Sequence, residues 1–111
     1  MNETYDLITR NQNKNISECL NNINKSDIDS FTDLLIKYNK NNIFTIGIGK
    51  SSTVANYISD IFKSINLKSF NLNCTNLTHG DLGCITKSDL LIVFSKSGNT
   101  KEINDIIDNI N

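Results

Sequence analysis

The chain has 111 residues, a formal net charge of -1 at pH 7 and a pI of about 5.7, which allows one small domain and no basic stripe for nucleic acid or an anionic membrane. No apolar run approaches the roughly 20 residues of a membrane helix, and the N-terminus lacks the apolar core of a signal peptide. Cys19, Cys74 and Cys84 form no CxxC pair and are odd in number, which fits a reducing, cytoplasmic setting and excludes a disulfide framework.

Residues 1–14 are polar and are expected to form a flexible N-terminus ahead of a partial domain over 15–111. Residues 15–25 carry Ile16, Leu20 and Ile23 at helical spacing behind Asn15 as a cap. Residues 27–39 carry Ile28, Phe31, Leu34, Leu35 and Tyr38 in steps of three and four, a second amphipathic helix. The turn Asn39–Asn42 leads into a strand over 43–48, apolar on both faces as in a parallel sheet covered by helices. A helix over 51–65 presents Val54, Ile58, Ile61, Phe62 and Ile65, and a weaker strand follows at 67–72. Residues 73–88 read as a loop, 90–94 as the most apolar strand, and a last helix begins near Thr100 with Ile103, Ile106, Ile107 and Ile110 on one face. This strand–helix alternation predicts an α/β domain whose parallel strands 43–48, 67–72 and 90–95 place 43–48 in the middle. Abundant Asn and Lys with no Pro read as compositional bias, and the Asn side chains as solvated surface.

Two glycine turns carry the chemistry. Gly47-Ile48-Gly49-Lys50-Ser51-Ser52 links the first strand to its helix, and Ser95-Lys96-Ser97-Gly98-Asn99-Thr100 links the third strand to the last helix. Each puts small hydroxyl residues and backbone N–H groups at the carboxyl edge of a parallel sheet, where α/β proteins bind phosphate. Two nucleotide signatures fail. The dinucleotide fingerprint needs glycine at position 52, where serine stands, and an acidic residue after the second strand, where Asn71-Leu72-Asn73 stands. The Walker A loop needs glycine five residues before Gly49, where Phe44 stands. A turn that only caps its own helix, with Ser51 satisfying local amides, explains the first turn as well as a ligand does. The second turn is richer in hydroxyls than capping requires, and its convergence with the first favours an anion.

His79, the one histidine, lies in a loop beside Gly80 and Asp81. Near a phosphate site it is a candidate acid or base; elsewhere it is a surface residue. His79, Cys74, Cys84 and Asp81 lack the spacing of a compact zinc site, so no metal and no cofactor are expected.

These residues, in this order, resemble the sugar-isomerase (SIS) domain, and within it the KpsF/GutQ group of arabinose-5-phosphate isomerases. That group reads roughly GxGKSG, a helix, a strand, HGDLG, a strand and SxSGxTxE. The matching segments are Gly47–Ser52, His79-Gly80-Asp81-Leu82-Gly83 and Ser95–Glu102. The resemblance implies a three-layer α/β/α, flavodoxin-like parallel sheet that binds a phosphorylated sugar. Ser95, Ser97, Gly98 and Thr100, with Ser51 nearby, map onto its phosphosugar-binding residues, and Lys50 and His79 onto polar residues of its catalytic site. Members of the group interconvert D-arabinose 5-phosphate and D-ribulose 5-phosphate through an enediol.

The chain departs from the group at Ser52, which replaces a glycine, and at Asn99, which replaces an acidic residue. It stops at Asn111, whereas the family fold continues with further strands and site residues. The expectation is therefore an incomplete sheet that binds a phosphosugar with little catalysis of its own. The alternative is an active aldose–ketose isomerase whose site is completed by a partner chain. The open edge of strand 90–95 and the apolar face of helix 100–111 are expected to drive self-association into a homo-oligomer.

Overall fold

The computed structural model describes residues 2–73, 81–108 and 110. The element order is α1 (Glu3–Asn21), α2 (Lys25–Lys37), β1 (Asn42–Gly47), α3 (Ser51–Ser64), β2 (Lys68–Leu72), a 3-10 turn (Asp81–Cys84), β3 (Leu90–Phe94) and α4 (Thr100–Asp108). Two compact units divide the chain, Met1–Ile36 and Lys37–Asn111.

The first unit is helical. Its first helix starts at Glu3, not near Asn15. The cause lies in the N-terminal residues: the Asn2 side chain accepts the Tyr5 amide at 3.0 Å, and Glu3 and Asp6 place negative charge in the first turn. With neither Pro nor Gly before Asn21, nothing stops the helix once capped. Asn24 opens the next helix in the same way, its side chain accepting the Ser26 amide at 2.8 Å.

The second unit holds a three-stranded sheet in the order β2-β1-β3, with both pairings parallel. The expected α/β class, strand order and direction all stand. Register pairs Phe44 with Phe70 and with Leu91, and Gly47 with Phe94. In the central strand only Asn42 is exposed, while Ile43 through Gly47 are buried. Alternation sends Ile43 and Thr45 to one face and Phe44 and Ile46 to the other.

The face bearing Phe44 and Ile46 packs on Leu82 and Ile85 of the 3-10 segment and on Ile106 of α4, with Leu72, Leu91 and Val93 at the margin. The opposite face lies against α3, and its hydrogen bonds are made by small polar groups. Helix α3 buries Ala55, Ser59 and Phe62, while Val54, Ile61 and Ile65 remain exposed. Of the apolar positions expected on this face, Phe62 is buried and Ile58 half-buried, while Ala55 and Ser59, with short side chains, supply the close approach. Thr45 Oγ1 lies 3.0 Å from the Ala55 carbonyl, and Ser59 Oγ and Ser69 Oγ are 2.8 Å apart. Both serines are buried, at 0 % and 1 % exposure, so each depends on the other for its hydrogen bond. Ser69→Ala alone should cost about 1–3 kcal/mol by stranding the Ser59 hydroxyl. The Ser59→Ala/Ser69→Ala double variant should cost less than the sum of the two single changes. Urea unfolding of the four proteins in a double-mutant cycle measures that coupling.

The turn that closes α3 passes through Asn66, whose φ of 68° is left-handed. The Asn66 amide donates to the Lys63 carbonyl (3.1 Å) and the Leu67 amide to the Phe62 carbonyl (3.0 Å), the pairing that closes a helix and redirects the chain. Here the redirection sets the start of β2.

Candidate functional site

Both glycine turns lie at the carboxyl edge of the sheet, on neighbouring strands. The Ile48 amide donates to the Phe94 carbonyl at 2.9 Å, which ties the first turn to the end of β3. The first turn doubles back tightly. The Ser51, Ser52 and Thr53 amides donate to the carbonyls of Ile48, Gly49 and Lys50 at 3.2, 3.1 and 3.3 Å. Gly49 takes a φ of 62°, and a Cβ on Gly47 would collide with the backbone of Ser51 and Ser52. Lys50 occupies the N-cap position in helical conformation, and no side chain caps the helix. The capping role considered for Ser51 is thus absent: Ser51 is the first residue inside α3, and its hydroxyl is not the cap. The amides that follow are already used by the turn itself, so this helix start offers an anion less than its sequence promised.

The second turn is organised differently. Ser95 Oγ accepts the Gly98 amide at 3.0 Å, and Ser97 Oγ accepts the Asn99 amide at 3.2 Å. Asn99 is the cap of α4: its side-chain oxygen accepts the Lys101 amide at 3.0 Å, and its carbonyl accepts the Ile103 amide at 3.2 Å. Gly98 adopts a φ of 61°, which lets the chain turn between the two serines and the cap. Each serine hydroxyl that accepts an amide keeps its own proton for donation. The loop therefore fixes two O–H donors, one half-buried at Ser95 and one exposed at Ser97, ahead of the α4 N-terminus. Thr100 is the first residue of that helix. Lys50, Lys96 and Lys101 are exposed around the two turns, and Glu102 lies in the first turn of α4 and subtracts from their field.

The structure thus gathers Lys50, Ser51, Ser95, Ser97, Gly98 and Thr100 at one sheet edge. His79 lies outside the described residues, as do Cys74 and Gly80. Among the described residues no three His, Cys, Asp or Glu side chains converge on a common point. No helix among them is long and apolar enough to cross a membrane. The role of Asn99 escaped the sequence reading, although a cap residue directly before an Ile-periodic helix is a recognisable signal.

The SIS domain family model matches residues 36–110, a span that holds all three strands and both turns. The chain belongs to the SIS domain family. The chain is similar to an uncharacterized protein of Rickettsia prowazekii, 40% identical over 94 residues, which cover 85% of this chain and 29% of the relative. Arabinose 5-phosphate isomerase KpsF of Escherichia coli is 44% identical over 69 residues, 62% of this chain and 21% of that protein. Arabinose 5-phosphate isomerase KdsD of Pseudomonas aeruginosa is 36% identical over 69 residues, again 62% of this chain and 21% of the other. This SIS chain thus spans less than a third of the length of these relatives. No solved structure matches it. The first helical unit lies almost wholly ahead of the matched span.

Proposed function

We propose that this chain binds a phosphorylated sugar, with the phosphate at the Ser95–Thr100 turn. The observation that carries the reading is the self-held loop, in which Ser95 and Ser97 each accept a backbone amide and keep a hydroxyl proton for an anion. Helix α4 begins directly behind it, and Lys50, Lys96 and Lys101 stand around it. The kinship to proteins named arabinose 5-phosphate isomerases supports a pentose phosphate as the ligand. A hydrogen bond to a charged group contributes about 1.5–3 kcal/mol. Ser97→Ala should therefore weaken binding of D-arabinose 5-phosphate about tenfold or more in a calorimetric titration. Ser30→Ala, an exposed change in α2, should leave the affinity unchanged. Equal affinities for both variants and the parent would remove the loop as the site.

The second reading is catalysis: an aldose–ketose isomerase whose site is completed by a partner chain. The names of the relatives favour it, and Lys50 and His79 are the residues that would act. Against it, Asn99 is committed to capping α4 and carries no carboxylate to move a proton. A missing proton carrier lowers a rate by about 10²–10⁴. Exchange of the C2 proton of D-arabinose 5-phosphate with deuterated solvent is expected to stay at the uncatalysed level. Exchange by the purified chain that His79→Ala abolishes would establish the isomerase instead.

A further inference from the structure

The two edges of the sheet are unlike each other. β2 holds Lys68, Ser69 and Asn71, and Lys68 is exposed, a charge of the kind that guards an edge against further pairing. β3 is apolar at every position from Leu90 to Phe94, the composition of a parallel strand covered on both faces. All five of its residues are only half-buried. It has neither a charge nor a proline, and its register with β1 runs without a bulge. Among the described residues it pairs with β1 alone.

One hydrogen bond fixes where the remaining backbone groups of β3 point. The Ile48 amide donates to the Phe94 carbonyl at 2.9 Å, so Phe94 turns its carbonyl towards β1. Backbone groups alternate in direction along a strand, which turns Ile92 and Leu90 towards β1 as well. Leu91 and Val93 then present both N–H and C=O to the open edge. Their side chains pack at the margin of the Phe44 and Ile46 cluster, so the residues with outward backbone groups are already anchored to the sheet.

We infer that a second copy of this chain pairs with this edge, antiparallel, about a two-fold axis that passes through Ile92 normal to the sheet. That axis sets Ile92 opposite Ile92, Leu91 opposite Val93 and Leu90 opposite Phe94 of the second copy. Opposed residues share a face, so both layers of the domain continue across the junction. The hydrogen bonding matches. Leu91 and Val93 of opposite copies exchange their outward N–H and C=O groups, while Ile92, whose own groups face β1, falls at the pair that needs none. Other registers fit less well. A shift by one residue opposes Leu91 to Ile92 and sets the core face of one copy against the outer face of the other. A shift by two opposes Leu91 to Ser95 or Val93 to Asp89 and leaves apolar side chains unmatched. In the register through Ile92, Asp89 lies opposite Ser95 and next to Lys96 of the second copy, so acid stands beside base and no like charges are opposed. This interface is independent of the phosphate turn: the dimer carries two such turns, at opposite ends of the joined sheet.

The test uses the full chain. In sedimentation the average mass should rise with concentration from 12.5 kDa towards twice that value. Over the same range, hydrogen exchange at the Leu91 and Val93 amides should slow by about tenfold or more. The amides of Leu90, Ile92 and Phe94, which face β1, should be protected throughout. In a mixture of isotope-labelled and unlabelled copies, the Ile92 Hα should show an inter-chain contact with its counterpart, because the Cα atoms of such a pair lie about 4.5 Å apart. Val93→Pro removes an outward N–H and no bond to β1, so it should abolish the mass increase while keeping the β1 amide signals dispersed. The exchange and mixed-label measurements on the parent stand by themselves if the proline disturbs β3. A chain that stays at 12.5 kDa at every concentration would overturn the inference, whether its Leu91 and Val93 amides exchange freely or are covered within the chain. So would a dimer in which those two amides remain unprotected, or a folded Val93→Pro protein that dimerises like the parent.

Discussion

Gly47→Ala is expected to remove the folded state of the second unit at room temperature. The added Cβ falls on the Ser51 carbonyl and the Ser52 amide, which are backbone atoms of the first turn of α3 and have no rotamer to escape into. Relief requires moving the start of the helix away from the end of β1. That movement breaks the Ile48 amide's bond to the Phe94 carbonyl and withdraws Ala55 from the buried Thr45 hydroxyl. Overpacking against side chains costs about 1–3 kcal/mol, and collision with fixed backbone belongs at or beyond the top of that range. A small domain with a modest core has little more than that to lose. Gly49→Ala and Gly98→Ala provide the contrast. Both positions have positive φ but open space around the absent Cβ, so each should cost only the left-handed penalty of about 1–2 kcal/mol. Far-UV circular dichroism is a poor monitor, because α1 and α2 contribute 19 and 13 helical residues against 14 and 9 from α3 and α4. Dispersion of the β1 amide signals in a ¹⁵N spectrum reads the second unit directly. A Gly47→Ala protein with parent-like β1 signals would show that the turn can open without cost.

The contrast among the glycines shows how far the sequence could be read. Strands and their parallel order followed from runs such as Ile43–Ile46 and Leu90–Phe94 and from the handedness of crossovers. The two turns followed from Gly47, Gly49 and Gly98 next to serines. Sequence could not tell that Gly47 is required for close approach while Gly49 and Gly98 are required for backbone angle, because that distinction depends on where α3 packs. The packing was itself hidden. Of the apolar series Val54, Ile58, Ile61, Phe62 and Ile65 only Phe62 is buried, and beside it the buried positions are Ala55 and Ser59, since a hydrogen-bonded serine pair permits a closer helix than branched side chains do. Read as solvated surface, the described asparagines are nearly all exposed, yet several do specific work there: Asn2 and Asn99 cap helices, Asn66 takes the left-handed position, and half-buried Asn71 meets the buried Thr45. A carboxamide that serves as cap, turn or internal donor looks the same in sequence as one that faces water, and only its neighbours in space separate the cases.

Ile46→Ala should be the most damaging change among the apolar side chains, and comparison with α4 makes it interpretable. Ile46 is fully buried in the central strand, in one cluster with Phe44, Leu82, Ile85 and Ile106. It therefore joins the sheet to both the 3-10 segment and α4. Truncating a buried isoleucine costs about 2–5 kcal/mol, the upper values arising where the surroundings cannot collapse into the space. A hydrogen-bonded central strand has little freedom to collapse, so the upper half of that range is expected here. In α4, Ile106 is 2% exposed and its neighbour Ile107 is 52% exposed. Ile106→Ala should cost nearly as much as Ile46→Ala, and Ile107→Ala less than about 1 kcal/mol, although sequence gives no reason to rank the two. The functional consequence follows from geometry. Residue 46 precedes Gly47 and Ile106 holds the helix that Asn99 caps, so weakening this cluster loosens the edge at which both turns meet. Urea titrations followed through the β1 and α3 amide signals should rank the variants Ile46, Ile106, Ile107 in falling damage. A small effect of Ile46→Ala would place the stabilising core elsewhere than on this face of the sheet.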